Sequence, residues 1–377
     1  MTESLHSICR WTFNPGKGGF VPSDVRPSWK PARFATTDFI HLVHDEVRPR
    51  LPDHVVLGVE LHYDNEVHEG NAQAITEALN ATGLHLAMIT PGAHHHFAYG
   101  GIASLDEHER ELARIFGERC VELAYGTLRE AWHPQPSHAP TLVIWNGSFG
   151  YDLATVGIRE MYRHLKKNIA DLCDLESERG GELFIGIEPK PNEGHPAMLL
   201  PTVASSALLW YRLRDEYGID LSKKGVNKEI GHSEMIGLDH VYDTVEELDN
   251  NMMVHTHLNS QGYNDGVILG GPGRYDIDHG TRVNGMNIAI AGLMAEAGFS
   301  RWKGHDIQPR PYDNEAQAID RVVRSILSWE ACVVAAEELD TDELLACLAA
   351  RDTAAAEDMM RQATVIAQNA FDGMYEV

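Results

Sequence analysis

Positive charge is scarce in this chain of 377 residues. Lysine and arginine together number 31, against 56 aspartates and glutamates, so the formal net charge is −25. Proteins bind nucleic acids and anionic membranes largely by neutralising phosphate groups with basic side chains. An acidic chain is unsuited to that task, and we expect neither a nucleic acid nor a membrane as a partner.

Cysteine is also scarce, and long apolar runs are missing. The five cysteines form no CxxC pair, which favours reduced, buried thiols over a disulfide framework. No apolar stretch reaches about eighteen residues, the length needed for a membrane-spanning helix. The first residues lack the basic and apolar regions of a secretion signal. These absences predict a cytoplasmic protein.

Short apolar runs alternate regularly with amphipathic segments along the chain. Eight such units follow one another at a spacing of roughly 30–40 residues, which predicts an α/β protein with the fold of a (β/α)8 TIM barrel. A Pro- and His-rich insertion, Trp132–Pro140, precedes the fourth strand. The predicted strands are Cys9–Phe13, Val55–His62, His85–Thr90, Leu142–Trp145, Leu183–Glu188, Val226–Glu229, Met252–His257 and Trp302–Asp306.

Residues after the eighth unit are rich in alanine and show helical spacing. Their apolar side chains, such as Met359 and Ile366, need a covering surface. We predict a barrel domain over residues 1–335 and a C-terminal helical extension over residues 336–377. A solvated helical tail and an oligomerisation arm both fit this extension. We favour the arm, because the apolar side chains need cover, and so expect identical chains to form a dimer or a homotetramer.

The stretch EPKPNE at residues 188–193 organises the predicted site. It follows an apolar run, and its two prolines end the strand, because proline cannot continue a central strand. Glu188 and Lys190 therefore stand at the carboxyl end of a buried strand, where a metal or a substrate usually explains such a pair. In a barrel, residues at these strand ends converge on one site.

Carboxylates and imidazoles gather at other predicted strand ends as well. They are too many for one rim without cations, and oxygen-rich sites with one or two imidazoles suit Mg²⁺, Mn²⁺ or Co²⁺. The set is large enough for two divalent metal ions that share one bridging carboxylate. The candidate metal ligands are Glu188, Glu229, His232, His257, Asp276, Asp278 and Asp306.

Over nearly its whole length the chain resembles the xylose isomerases. The most specific matches are EPKPNE at 188–193 and NKEIGHSEM at 227–235. Supporting matches are HTHLNSQ at 255–261, YDID at 275–278 and HDIQP at 305–309. The resemblance implies two metal sites, one formed by Glu188, Glu229, His257 and Asp306, and the other by Glu229, His232, Asp276 and Asp278.

The resemblance also implies roles for residues around a sugar substrate. Lys190 would hydrogen-bond the carbonyl oxygen of the open-chain sugar, and His62 would assist ring opening. Asp278 would help to move the hydroxyl proton. The implied reaction is an aldose–ketose isomerisation in which a hydride passes between C1 and C2. The implied substrate-binding residues are the apolar wall of Trp11, Phe97 and Trp145, together with Lys190 and Asn192.

Some positions depart from the xylose isomerase pattern. The family has aspartate where His257 stands, and rhamnose isomerases resemble this chain there. The imidazole removes one negative charge and favours Mn²⁺ or Co²⁺ over Mg²⁺. The acidic partner of the ring-opening histidine is replaced by Asn65, with Asp64 one residue away. The loop 258–275 is longer than in the family, so the identity of the sugar stays open.

Two other functions fit the same residues. A sugar epimerase on the same barrel would transfer a proton instead of a hydride, with two carboxylates as base and acid. A non-catalytic sugar-binding barrel would use the metals only to hold its core together. Solvent deuterium in the product would indicate the epimerase, and metal-dependent stabilisation without turnover would indicate the binding protein.

Overall fold

Eight parallel strands form a closed barrel, which confirms the predicted TIM barrel fold. The computed structural model describes residues 3–13, 35–93, 96–151, 156–191, 197–261, 279–309 and 313–376. Each strand pairs with its neighbour in sequence, and the first pairs with the eighth. The barrel strands are β1 (Ser4–Cys9), β2 (Val55–His62), β3 (His85–Thr90), β4 (Thr141–Trp145), β5 (Phe184–Glu188), β6 (Lys224–Glu229), β7 (Met253–His257) and β8 (Lys303–His305).

The first strand lies earlier in the chain than the sequence predicts. The prediction of Cys9–Phe13 is wrong, since β1 spans Ser4–Cys9 and a 3-10 turn follows it. His6 and Ser7 are polar yet fully buried, because both hydrogen-bond to buried carboxylates. Their polarity hides the strand from an apolar pattern. Trp11 consequently lies just beyond the carboxyl end of β1 rather than within it.

Helices connect the strands around the outside of the barrel. They are α1 (Thr36–Leu42), α2 (Ala72–Thr82), α3 (Glu107–Tyr125), α4 (Ile158–Arg179), α5 (Val203–Tyr217), α6 (Ile230–Met235), α7 (His240–Asp249), α8 (Gly285–Glu296), α9 (Glu315–Glu338), α10 (Thr341–Ala349) and α11 (Thr353–Tyr375). Local sequence fixes several starts: the Asp106 side chain accepts two backbone N–H groups at the start of α3, and Thr202 with Ser205 forms a capping box at α5.

The chain ends in three helices, which confirms the predicted helical extension. Helix α11 packs on α8 and α9 and buries Ala363 and Ala367 against them. The predicted domain boundary after residue 335 falls inside α9, and the division into two domains and the oligomerisation arm stay predictions. Within the part of the chain that the structure describes, no helix has the length and apolar character that crossing a bilayer requires.

Polar side chains fill the barrel near the carboxyl ends of its strands. Glu60 of β2 is fully buried and accepts a hydrogen bond from Oγ of Ser7 at 2.6 Å. Its carboxylate also contacts the imidazoles of His255 and His257 on β7. Gly304 of β8 makes room for them, because a Cβ there would overlap the Glu60 carboxylate and the His257 ring. This buried polar layer lies directly below the candidate site.

Candidate active site

Three carboxylates surround the imidazole of His257 at the carboxyl ends of the strands. Glu188, Glu229 and His257 end β5, β6 and β7, and Asp306 follows β8. Nδ1 of His257 lies 3.3 Å from Oε2 of Glu229 and 3.5 Å from Oε2 of Glu188. Oδ2 of Asp306 is 4.0 Å from the same nitrogen. The structure therefore brings together the four residues that the resemblance to xylose isomerases assigns to the first metal ion.

His232 lies on the other side of Glu229. Its Nε2 atom is 3.1 Å from Oε1 of Glu229, and Nδ1 lies 2.9 Å from the carbonyl oxygen of Pro189. Because a carbonyl only accepts, Nδ1 carries the proton and Nε2 faces the carboxylate, as in a metal-ligating histidine. Glu229 belongs to two groups whose donor atoms lie within 4.8 Å of one another: Glu188, Glu229 and His232, and Glu229, His257 and Asp306.

The far side of the His257 ring is held by Glu60. Nε2 of His257 lies 2.9 Å from Oε2 of Glu60, whose other oxygen is 3.0 Å from Nε2 of His255. Burial opposes ionisation of Glu60, but the two histidines lower the pKa of its carboxyl well below the ordinary value. Sequence reasoning missed Glu60. Its signal was a glutamate in the middle of an apolar strand, which burial makes costly unless the carboxylate has partners.

The carboxylates of the cluster require a positive charge among them. Burial raises the pKa of Glu188 above its ordinary value, and the nearby Glu229 adds to the rise. Burial alone would lower the pKa of His257, but the carboxylates of Glu60 and Glu188 raise it well above the ordinary value. A proton on His257 or a divalent cation among the same donor atoms supplies the missing charge.

Two asparagines that sequence reasoning missed hold the carboxylates in place. Nδ2 of Asn227 donates to Oε2 of Glu188 at 2.5 Å, and Nδ2 of Asn259 donates to Oε1 of Glu229 at 2.7 Å. Asn227 precedes Glu229 by two residues on β6, so both side chains point to the same face of the strand. That alternation was the available signal for Asn227. Each ligand carboxylate is therefore oriented by a hydrogen-bond donor beside it.

His62 has an acidic partner, but not at the positions that the sequence suggested. Nδ1 of His62 lies 3.2 Å from Oε2 of Glu66, and the same oxygen accepts the backbone N–H of His62 at 2.8 Å. Asp64 instead contacts Nε2 of His96 at 3.0 Å. The turn after β2 returns the backbone N–H of Glu66 to the carbonyl of His62, which brings the glutamate to the histidine and turns Asn65 to the surface.

Trp11 connects this pair to the carboxylate cluster. Its indole Nε1–H donates to Oδ1 of Asp306 at 2.7 Å. Its ring lies 4.1 Å from the ring of His62, measured between centroids. The predicted ring-opening histidine and the predicted metal ligand therefore share one aromatic neighbour.

Lys190 is buried beside the aromatic face of Trp145, with Nζ 4.9 Å from the ring centroid. Asn146, another residue that the sequence did not single out, donates from Nδ2 to the carbonyl of Lys190 at 3.0 Å. Phe97 packs edge to face on Phe116 of α3, with ring centroids 5.2 Å apart. Lys190 and Trp145 thus form one unit, and the place of Phe97 in a sugar-binding wall stays a prediction.

Three of the predicted site residues lie outside the described part of the chain. They are Asn192, Asp276 and Asp278. The loop 258–275 is described only as far as Gln261. The full ligand set of a second metal ion, the role of Asp278 and the contact of Asn192 with a sugar therefore stay predictions.

No protein-family model matches the chain. Solved structures do match it: a xylose isomerase domain protein from Planctomyces limnophilus has a TM-score of 0.52 and 11% identity, over 88% of this chain and 99% of that one. An L-ribulose 3-epimerase has a TM-score of 0.55 and 13% identity, and the match covers 90% of this chain and 98% of that one. A D-psicose 3-epimerase from Clostridium cellulolyticum H10, solved with D-tagatose, has a TM-score of 0.52 and 12% identity. That match covers 99% of this chain and 98% of the epimerase. At these identities the likeness is one of fold, and the chain has the fold of the xylose isomerase-like TIM barrels.

Proposed function

We propose that this protein is a metal-dependent aldose–ketose isomerase that acts on an open-chain sugar. The observation that carries the proposal is the position of Trp11, which contacts both His62 and Asp306. A proton-transferring pair, His62 with Glu66, thereby lies beside a buried cluster of metal-binding donors. Ring opening followed by isomerisation needs these two functions next to each other.

The donor cluster fits divalent metal ions. Both histidines turn one nitrogen toward the carboxylates and use the other in a hydrogen bond, to Glu60 or to Pro189. When bound, a divalent ion would polarise the sugar oxygens as a Lewis acid. Two imidazoles favour Mn²⁺ or Co²⁺ over Mg²⁺. One ion would be held by Glu188, Glu229, His257 and Asp306, and a second by Glu229, His232, Asp276 and Asp278.

The remaining side chains would open the sugar ring and stabilise the negative charge that develops on the carbonyl oxygen. His62 would move a proton between the ring oxygen and the C1 oxygen, with its Nδ1 held by Glu66. Lys190 would donate a hydrogen bond to the carbonyl oxygen, where negative charge develops. A hydride then passes from C2 to C1 while the proton on O2 passes to O1, with Asp278 as the proposed proton carrier. The aromatic wall would keep water out.

A sugar epimerase is the second candidate, and the carboxylate cluster favours it. Glu188 and Asp306 approach the same nitrogen of His257, at 3.5 and 4.0 Å. In an epimerase these two carboxylates would act as base and acid, one removing the proton of a substrate carbon and the other returning a proton from the opposite side. Solved structures with this fold include an L-ribulose 3-epimerase and a D-psicose 3-epimerase.

One experiment separates the candidates. The protein is loaded in turn with Mg²⁺, Mn²⁺ and Co²⁺ and incubated in D₂O with aldopentoses, aldohexoses, 6-deoxyhexoses and ketohexoses, and the products are identified by NMR. An isomerase yields the ketose of an aldose without solvent deuterium on carbon. An epimerase yields the epimer of a ketose with deuterium at the inverted carbon. Metal-dependent stabilisation without any product would overturn both and indicate a sugar-binding barrel.

A further inference from the structure

The opposite end of the barrel carries another cluster of metal-binding side chains. Glu3 immediately precedes β1, and His133 and His138 lie in the segment Trp132–Pro140, which leads into β4. One donor atom from each of the three lies within 4.8 Å of the other two. These residues stand at the amino ends of strands, whereas Glu229 stands at a carboxyl end. The cluster is therefore separate from the candidate active site.

The two imidazoles are spaced as ligands of a single ion would be. The Nδ1 atoms of His133 and His138 are 3.3 Å apart. Two imidazole nitrogens bound at about 2.0–2.1 Å to one tetrahedral zinc ion lie about 3.3–3.4 Å from each other. Four residues separate the two histidines, which is within the range common among zinc ligands. Oε2 of Glu3 lies 3.6 Å from the other ring nitrogen of His133, Nε2. The exposed Glu3 side chain would have to turn toward the Nδ1 side of the ring to reach the same ion.

We propose that Glu3, His133 and His138 bind a zinc ion, with water as the fourth ligand. Both Nδ1 atoms would coordinate the ion, which replaces the hydrogen bond between them. The backbone N–H of Gln135 donates a hydrogen bond to Nδ1 of His133 at 3.2 Å. This hydrogen bond would have to break, because the ion needs the same lone pair of Nδ1. Gln135 is exposed, so its N–H has solvent as an alternative acceptor.

The protein framework orients the two histidines. The indole Nε1–H of Trp302 donates to the carbonyl of His138 at 2.9 Å, and the ring of His85 packs edge-on against His133 with centroids 4.8 Å apart. Both ligand histidines are buried, whereas Glu3 is exposed, so the site has one open side. A bound ion would tie the start of β1 to the loop before β4. Because this end of a barrel serves stability rather than catalysis, we assign the ion a structural role.

The test uses the full-length chain with Glu229→Ala, which removes the carboxylate shared by the proposed catalytic metals. The protein is stripped with a chelator and titrated with Zn²⁺ alone, by calorimetry and by metal analysis. We expect one zinc per chain and a zinc-dependent rise in unfolding temperature. Adding His138→Ala should weaken binding at least about 100-fold and adding Glu3→Gln about 10-fold. The control His44→Ala, which removes an exposed histidine beside Asp45, should leave binding unchanged.

Equal zinc binding with and without His138→Ala would overturn the proposal, provided that circular dichroism shows both proteins folded. Absence of zinc binding in the folded Glu229→Ala protein would overturn it as well. Glu3→Gln guards against a folding artefact, because it alters an exposed side chain and keeps both imidazoles. An unchanged zinc affinity in that variant would remove Glu3 from the ligand set and contradict the three-residue site. None of these outcomes depends on whether the protein isomerises a sugar.

Discussion

Glu60 and His257 form a buried pair at the centre of the barrel, with Oε2 and Nε2 2.9 Å apart. The other ring nitrogen of His257 faces Glu229 at 3.3 Å. An ionised Glu60 accepts the Nε2 proton and so leaves Nδ1 as the nitrogen directed at the carboxylate cluster. A residue near the carboxyl end of β2 thereby decides which atom a residue at the end of β7 offers to a metal.

Replacement of Glu60 tests this relationship directly. Glu60→Gln is expected to weaken Mn²⁺ binding about 10- to 100-fold, because an amide no longer fixes the proton on Nε2 of His257. Calorimetric titration of the metal-free protein measures the loss without reference to activity. The matched control is Glu176→Gln, which changes a buried glutamate paired with Lys224 far from the cluster. Equal Mn²⁺ affinity in the Glu60→Gln protein and the wild type would contradict the role of Glu60.

Glu229 is the residue on which the proposed two-metal site depends most. It belongs to both groups of donor atoms, so Glu229→Ala is expected to release both catalytic ions and abolish turnover. Asp306 belongs to only one of these groups. Asp306→Asn should therefore weaken the binding of one Mn²⁺ ion and leave the other ion bound. Electron paramagnetic resonance counts the bound Mn²⁺ in each variant. Isomerase activity close to that of the wild type in the Glu229→Ala protein would contradict the two-metal interpretation.

Glu66 should matter only for sugars that close into rings. Glu66→Gln removes the charge that holds Nδ1 of His62, so we expect turnover of a cyclic aldose to fall about 100-fold. D-Glyceraldehyde has too few carbons to form a ring, and its rate should change little. Asp64→Asn serves as the control, because Asp64 contacts His96 instead. Equal rate losses with cyclic and acyclic substrates would assign Glu66 a purely structural role.

Acid should destabilise the protein through buried histidines. Burial lowers the pKa of His6 from 6.5 to about 4, and burial together with Lys228 lowers the pKa of His240 from 6.5 to about 4. Between about pH 6.5 and about pH 4 these histidines are protonated in the unfolded chain but not in the folded chain. The free energy of unfolding therefore falls as pH falls through this window, by on the order of 1–3 kcal/mol per histidine.

Denaturant titrations from about pH 7 to about pH 5 measure this slope. His240→Leu removes one of the buried titrating histidines and is expected to make the pH dependence less steep. A free energy of unfolding that stays constant over the range in the wild-type protein would contradict the prediction.

Much of the barrel could be predicted because its strand signals are local. Strand β2 has the predicted bounds, Val55–His62, since an apolar run between polar turns specifies a buried strand without distant information. The prolines after Glu188 end β5 where the sequence indicated. Consecutive βα units then bring the ends of β5, β6 and β7 to one rim, and with them Glu188, Glu229 and His257.

Local sequence patterns were enough to predict the barrel, the order of its strands and the residues at most of the strand ends. Three features became known only from the folded chain: the start of β1, the pairing of His62 with Glu66, and the contact between Glu60 and His257, which are 197 residues apart. All three features have the same cause. A polar side chain is tolerated inside a barrel when its hydrogen-bond partners are present, and those partners come from turns and strands whose approach no local pattern encodes.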